Sequence, residues 1–245
     1  MTVSPDTHAI GIIDAVPDAL RYDWSNDDPS EVAGLLRALM PRRSRVLDIG
    51  CGSGAVTLIA NRDKDNEMWG VEPDPERAAL ARARGIRAEA SSLDRQFVAC
   101  HSPFDVVVLA DVLEHVAASA ELLKLATAAL KPEGLVLLSV PNVAHWTVRL
   151  NLLRGRFDYT DTGILDATHL RWFTEKTVRA LCRSCGLEVL SVQHSAGNDM
   201  PEYRRAFPWR FLPGRLRRPL VRRLTRALPR LFGCQHVVCA RLPAG

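Results

Sequence analysis

Apolar positions in this chain fall into two alternating rhythms. Short runs with almost no polar interruption occupy 45–49, 67–71, 104–109 and 135–140, and more broken ones occupy 86–90, 187–192 and 234–241. Runs of that length predict strands. Between them apolar residues step by three and four, as in Val32, Leu35, Leu36 and Leu39, then Ala55, Leu58 and Ile59, then Leu122, Leu123, Ala126 and Leu130, then Val178, Leu181 and Cys182. That spacing predicts one-sided helices. Asp28-Pro29-Ser30-Glu31 and Pro73-Asp74-Pro75-Glu76 supply a cap, an early proline and an acid, Thr174 supplies another cap, and Gly85 and Gly186 stand where helices should stop. Strand and helix in turn, with strands apolar throughout, predict an α/β fold whose mostly parallel sheet carries helices on both faces.

The densest signal lies between the first two strands. Gly50, Gly52 and Gly54 make a turn in which the backbone can take positive φ and approach a ligand, with helical N–H groups beginning just beyond it. Glu72 ends the second strand, where a carboxylate can accept hydrogen bonds from two ribose hydroxyls. Gly50-x-Gly52-x-x-Ala55 also fits a loose dinucleotide fingerprint. Asp48 favours another ligand, because a carboxylate beside the turn suits a cationic ammonium better than a pyrophosphate.

Asp48, Gly50, Gly52 and Gly54 together resemble the DxGxGxG motif of class I S-adenosylmethionine-dependent methyltransferases. FDVVVLADVLEHV, starting at Phe104, and DATHLRWFT, from Asp166 to Thr174, resemble elements of the branch that includes the ubiquinone-type O-methyltransferases. The resemblance covers roughly 22–195 and 233–242 and implies a Rossmann-like, seven-stranded sheet whose last strand is antiparallel. It implies S-adenosyl-L-methionine as cofactor, held by the glycine turn with Asp48 and Glu72. Glu89, Ser91 and Ser92 would lie at the adenine, Ala110 and Asp111 at the methionine part, and Glu114 and His115 near the methyl group.

Residues 141–173 show little periodicity and many hydrogen-bonding groups, and a long segment at the carboxyl end of a parallel sheet is a natural substrate region. His145, Trp146, Arg149, Tyr159 and Arg171 are its expected substrate-binding residues. Methyl transfer is an in-line displacement that asks mainly for alignment, but a hydroxyl acceptor must also lose a proton. A histidine suits that task, and His169 and His115 are the expected bases, ahead of His145. A small hydroxylated acceptor, such as a sugar, polyketide or lipid-linked glycan, is the expected substrate. N-methylation, a nicotinamide-binding oxidoreductase and a catalytically silent scaffold remain open.

Composition narrows the setting. A length of 245 residues suits one core with an extension: 1–27 as an irregular lead-in, holding the aromatic cluster Tyr22-Asp23-Trp24, and 28–245 as the methyltransferase domain. Apolar residues at 47% and charged ones at 24% match a soluble protein, and the start of the chain lacks a basic and apolar leader, so the cytoplasm is expected. The six cysteines are spread along the chain and read as reduced thiols. Cys182-x-x-Cys185 lies on a helical face without a second pair, which favours packing, and no metal is expected.

The net charge of +4 is unevenly placed, because 197–232 hold ten arginines and only Asp199 and Glu202 against them. Within that insertion Leu216, Leu220, Leu224, Leu228 and Leu231 form a stripe opposite arginines. It reads as a helix packed on the domain, as a lid or homodimer contact, or as a surface for a membrane or polyanion through 200–230. Nucleic acid is not expected as the substrate, because no RNA-binding module adjoins the core.

Overall fold

The computed structural model describes residues 26–205 and 209–244, so the aromatic cluster at 22–24 lies outside the described residues. The strands are β1 (Arg45–Ile49), β2 (Glu67–Val71), β3 (Arg87–Glu89), β4 (Phe104–Ala110), β5 (Leu130–Pro141), β6 (Glu188–His194) and β7 (Gln235–Arg241). They form one sheet in the order β3-β2-β1-β4-β5-β7-β6. β7 runs antiparallel to β5 and to β6, and the pairs from β3 through to β5 are parallel.

Alternation along each strand divides the core in two, since neighbouring side chains in a strand point to opposite faces. Val46, Val106, Val108 and Leu137 meet the layer of α1 (Val32–Leu39), α2 (Ala55–Ala60) and α3 (Pro75–Ala83). Leu47, Val107, Leu109 and Leu138 meet the layer of α4 (Arg95–His101), α5 (Ser119–Ala128) and, beyond α6 (Trp146–Leu153), α7 (Glu175–Ser184). Each such side chain, fully buried, contributes about 1.5–3 kcal/mol. Cys182 and Cys185 are part of this second core, and the cysteines are free thiols.

Three local expectations need correction. α1 begins at Val32, because Asp28 closes a turn onto Ser30 and the Glu31 carboxylate accepts the N–H groups of Gly197 and Asn198 at 3.2 and 2.9 Å instead of capping its own helix. α4 lies in a stretch for which the sequence pattern predicts no element, and it starts at Asp94, whose carboxylate caps the N–H of Phe97 at 2.7 Å. α6 falls inside the segment read as irregular, with His145 as its N-cap.

The insertion folds as α8 (Glu202–Arg205), a short 3-10 turn (Trp209–Phe211), α9 (Gly214–Ala227) and α10 (Pro229–Phe232). Tyr203, Trp209 and Val221 form a small core there with Trp146, Leu224 and Phe232. Pro219 lies inside α9, on its exposed side. Among the described residues no helix is long and apolar enough to cross a membrane.

Candidate active site

The carboxyl ends of β1, β2 and β4 meet at the glycine turn. Gly50 and Cys51 donate to the Val71 carbonyl at 2.8 and 3.2 Å, which ties the turn to β2. Gly50 has φ 67°, and a Cβ there would stand 2.9 Å from Val112 Cγ2, so a bare backbone lets the β1 and β4 loops touch. Gly52 has φ 54°, and a Cβ on it would lie 2.6 Å from Arg77 Nη2. Gly54 completes the turn and begins α2.

Two buried carboxylates frame the turn from opposite sides. Glu72 accepts the Gly52 N–H at 2.8 Å and the Asp74 N–H at 3.1 Å. Asp48 accepts the hydroxyl of Thr57 from α2. Burial, reinforced by the charge of Glu72, pushes the Asp48 carboxyl up to about 7. A cation placed beside it would restore its charge, so these residues fit a ligand with a positive group. The cradle that side chains would fill and the acid at the β2 terminus fit an adenosyl ligand with an amino-acid tail.

β4 ends on Ala110 and Asp111. Asp111 takes the left-handed conformation, φ 55°, which costs a non-glycine residue on the order of 1 kcal/mol. Ser139 Oγ donates to Oδ1 at 2.7 Å, Gln235 Nε2 donates to Oδ2 at 2.7 Å, and the Asp111 N–H is shared between Ser139 Oγ at 3.0 Å and the Ser139 carbonyl at 3.2 Å. Burial raises its pKa. The 3-10 turn Leu113–His115 follows.

That turn grips the loop 166–171 through its backbone. The Glu114 carbonyl accepts the N–H groups of Leu170 and Arg171 at 2.7 and 3.1 Å. His115 and His169 are thereby brought edge to face, with ring centroids 4.8 Å apart. His169 Nδ1 lies 3.1 Å from the Ile164 carbonyl, and His115 Nδ1 lies 3.2 Å from Thr168 Oγ1. Burial lowers the pKa of His115. Glu114 is buried, both of its carboxylate oxygens lack a hydrogen-bond partner among the described residues, and burial with the charges of Asp111 and Asp166 drives its pKa well up. Ligand atoms of Glu114, His115 and His169 lie within 4.8 Å of one another, a convergence able to take a divalent cation.

The other expected residues divide. Tyr159 is exposed and packs its ring against Phe157 and Trp172, and Arg171 is exposed with its guanidinium on the Ala117 carbonyl. Arg149 donates to the Ala144 carbonyl at 2.6 Å. Glu89 pairs with His101 of α4 at 3.0 Å, while Ser91 and Ser92 lie in the loop beyond β3. His145 and Trp146 turn inward instead of toward an acceptor. His145 lies 2.8 Å from Thr147 Oγ1 and 3.3 Å from the Tyr203 hydroxyl, which also accepts Trp146 Nε1 at 3.2 Å. Burial drives the His145 pKa down to about 3. Thr57, Ser139 and Gln235, the partners of Asp48 and Asp111, carried no local signal in the sequence.

These features are those of a class I S-adenosylmethionine-dependent methyltransferase. The chain belongs to the methyltransferase-domain family, whose model matches residues 24–192. It is 31% identical over 112 residues to a ubiquinone biosynthesis O-methyltransferase of Azorhizobium caulinodans, covering 43% of this chain and 44% of that protein. It is 29% identical over 140 residues to a tRNA 5-carboxymethoxyuridine methyltransferase of Escherichia coli, covering 53% and 52%. The chain thus spans about half the length of these curated relatives. A solved structure of 1,6-didemethyltoxoflavin-N1-methyltransferase from Burkholderia thailandensis, with bound S-adenosylhomocysteine, superposes with a TM-score of 0.55 at 20% identity, covering 91% of this chain and 82% of that one. At that identity the likeness speaks for the fold alone.

Proposed function

We propose that the protein methylates a hydroxyl oxygen of a small acceptor, with His169 as the base. The observation that carries this reading is the meeting of His115 and His169 beside the β4 terminus. S-adenosyl-L-methionine, when bound, supplies an electrophilic methyl group. Glu72 would hold the ribose, Asp48 and Asp111 the charged tail, and Gly50 and Gly52 the close backbone approach.

His169 supports the role of base through its tautomer. Donation from Nδ1 to the Ile164 carbonyl leaves the lone pair on Nε2, and the acceptor's proton would move to that atom. His115, edge-on to the same ring and tethered at Thr168, would position it. The ring surface of Phe157, Tyr159 and Trp172 would receive the acceptor's apolar part.

Sugars, polyketides and lipid-linked glycans are the acceptor classes that combine hydroxyls with such surfaces. An amine acceptor, whose proton the same base could take, is the second reading. A labelled-methyl transfer screen over hydroxylated acceptors, amines and transfer RNA tests the proposal. Label entering only amines or RNA would refute it.

A further inference from the structure

Of the leucines of α9, Leu224 packs on the small core while Leu216 and Leu220 do not. Val221 and Thr225 are its buried residues, and Arg222 and Arg218 tie it to Asp28 and Asp199. Leu216 and Leu220, one turn apart, stand 55% and 39% exposed on the opposite side, with Phe211 before the helix at 65% and Leu228 after it at 50%. Arg215, Arg223 and Arg226 flank this stripe, all exposed, and α9 contains no acidic residue.

Single exposed leucines are ordinary, but a row of them bordered by arginines on one helix face needs a partner that is both apolar and negative. A second copy of the same face would set arginine against arginine, which opposes association. A nucleic-acid backbone would engage the arginines and leave the leucines in water. An anionic bilayer satisfies both, because leucines enter the acyl boundary while guanidinium groups remain at the depth of the phosphates.

We infer that α9 docks the protein on an anionic membrane surface through Leu216 and Leu220, with Arg215, Arg223 and Arg226 on lipid phosphates. The contact is peripheral and lies apart from the residues assigned to methyl transfer.

Flotation of the full chain with vesicles tests this. Vesicles of phosphatidylcholine and phosphatidylglycerol should carry the protein, and vesicles of phosphatidylcholine alone should not. The pair Leu216→Ser and Leu220→Ser, both on the surface, should weaken binding at least about tenfold at unchanged charge. Arg215→Gln, Arg223→Gln and Arg226→Gln should each weaken it about fivefold. Calorimetry with S-adenosylhomocysteine should give the same affinity in all variants, which separates loss of docking from loss of fold. Absence of flotation, or flotation indifferent to the leucine changes, would overturn the inference. So would retention on transfer RNA without flotation, or a dimer in light scattering that dissolves when the leucines are replaced.

Discussion

His115 and His169 belong to distant stretches of the chain, yet their rings meet edge-on at 4.8 Å because the Glu114 carbonyl holds the backbone of Leu170 and Arg171. Main-chain bonds thus bring the two segments together, and the contacts of His169 Nδ1 with the Ile164 carbonyl and of His115 Nδ1 with Thr168 add to them.

Replacing His169 by Ala should slow turnover by about 10² or more if its Nε2 takes the acceptor's proton. Affinity for S-adenosylhomocysteine should stay nearly constant, since the proposal gives that ring no part in holding the cofactor. Single-turnover kinetics and calorimetry measure the two quantities separately. Turnover equal to wild type would remove His169 from the mechanism.

Asp48, as the proposed partner of the cofactor's charged tail, should make cofactor binding sensitive to pH. Its carboxyl, raised to about 7 by burial and the nearby Glu72 charge, is mostly neutral at pH 5.5 and mostly ionised above pH 7 in the free protein. A cationic ligand binds the ionised form better, so affinity for S-adenosylhomocysteine should rise between pH 5.5 and 7.5 and proton release should accompany binding. Asp48→Asn should flatten that rise while keeping an oxygen for Thr57. An equal slope in both proteins would assign the dependence elsewhere.

His236, buried in β7 against His194, has its pKa driven down to about 3 by burial, with the neighbouring His194 adding to the effect. A histidine whose folded pKa lies below its unfolded value of about 6.5 favours the unfolded chain as pH falls. Its stabilising effect is complete above pH 6.5 and drains away below it. Relative to His236→Asn, which cannot titrate, the wild type should lose stability below pH 6.5 with a slope that approaches about 1.4 kcal/mol per pH unit near pH 5. Urea titrations of both proteins at several pH values provide the comparison, and parallel pH dependences would contradict it.

Tyr203 joins the insertion to α6, because its hydroxyl serves both His145 and Trp146. Tyr203→Phe leaves the Trp146 N–H without its acceptor in the small core and should cost about 1–3 kcal/mol. A denaturant titration reads this cost, and a midpoint equal to wild type would show that the bonds are replaced.

Much of the architecture could be read before any coordinates. The glycine turn, Glu72 at the β2 terminus and the strand at 104–109 are local statements about period and backbone freedom, and they stand as expected. The start of α1 was misread because Glu31 matched a local capping pattern while its carboxylate is occupied by Gly197 and Asn198. The segment 141–173 looked irregular because Trp146 and His145 pack sideways onto Tyr203, which breaks the simple alternation that marks a helix.

Taken alone, the order of residues decided the strands, the most regular helices, the bend between β1 and α2, and the types of chemical group near it. Those features depend on neighbours within a turn or two, where side-chain period and allowed φ act directly. The tertiary structure alone decided that His115 would face His169, that Ser139 and Gln235 would hold Asp111, that His145 would be sealed inside, and that Leu216 and Leu220 would face outward. An apolar stripe states that a surface avoids water, but which surface it meets is settled only when all the elements compete for the same core.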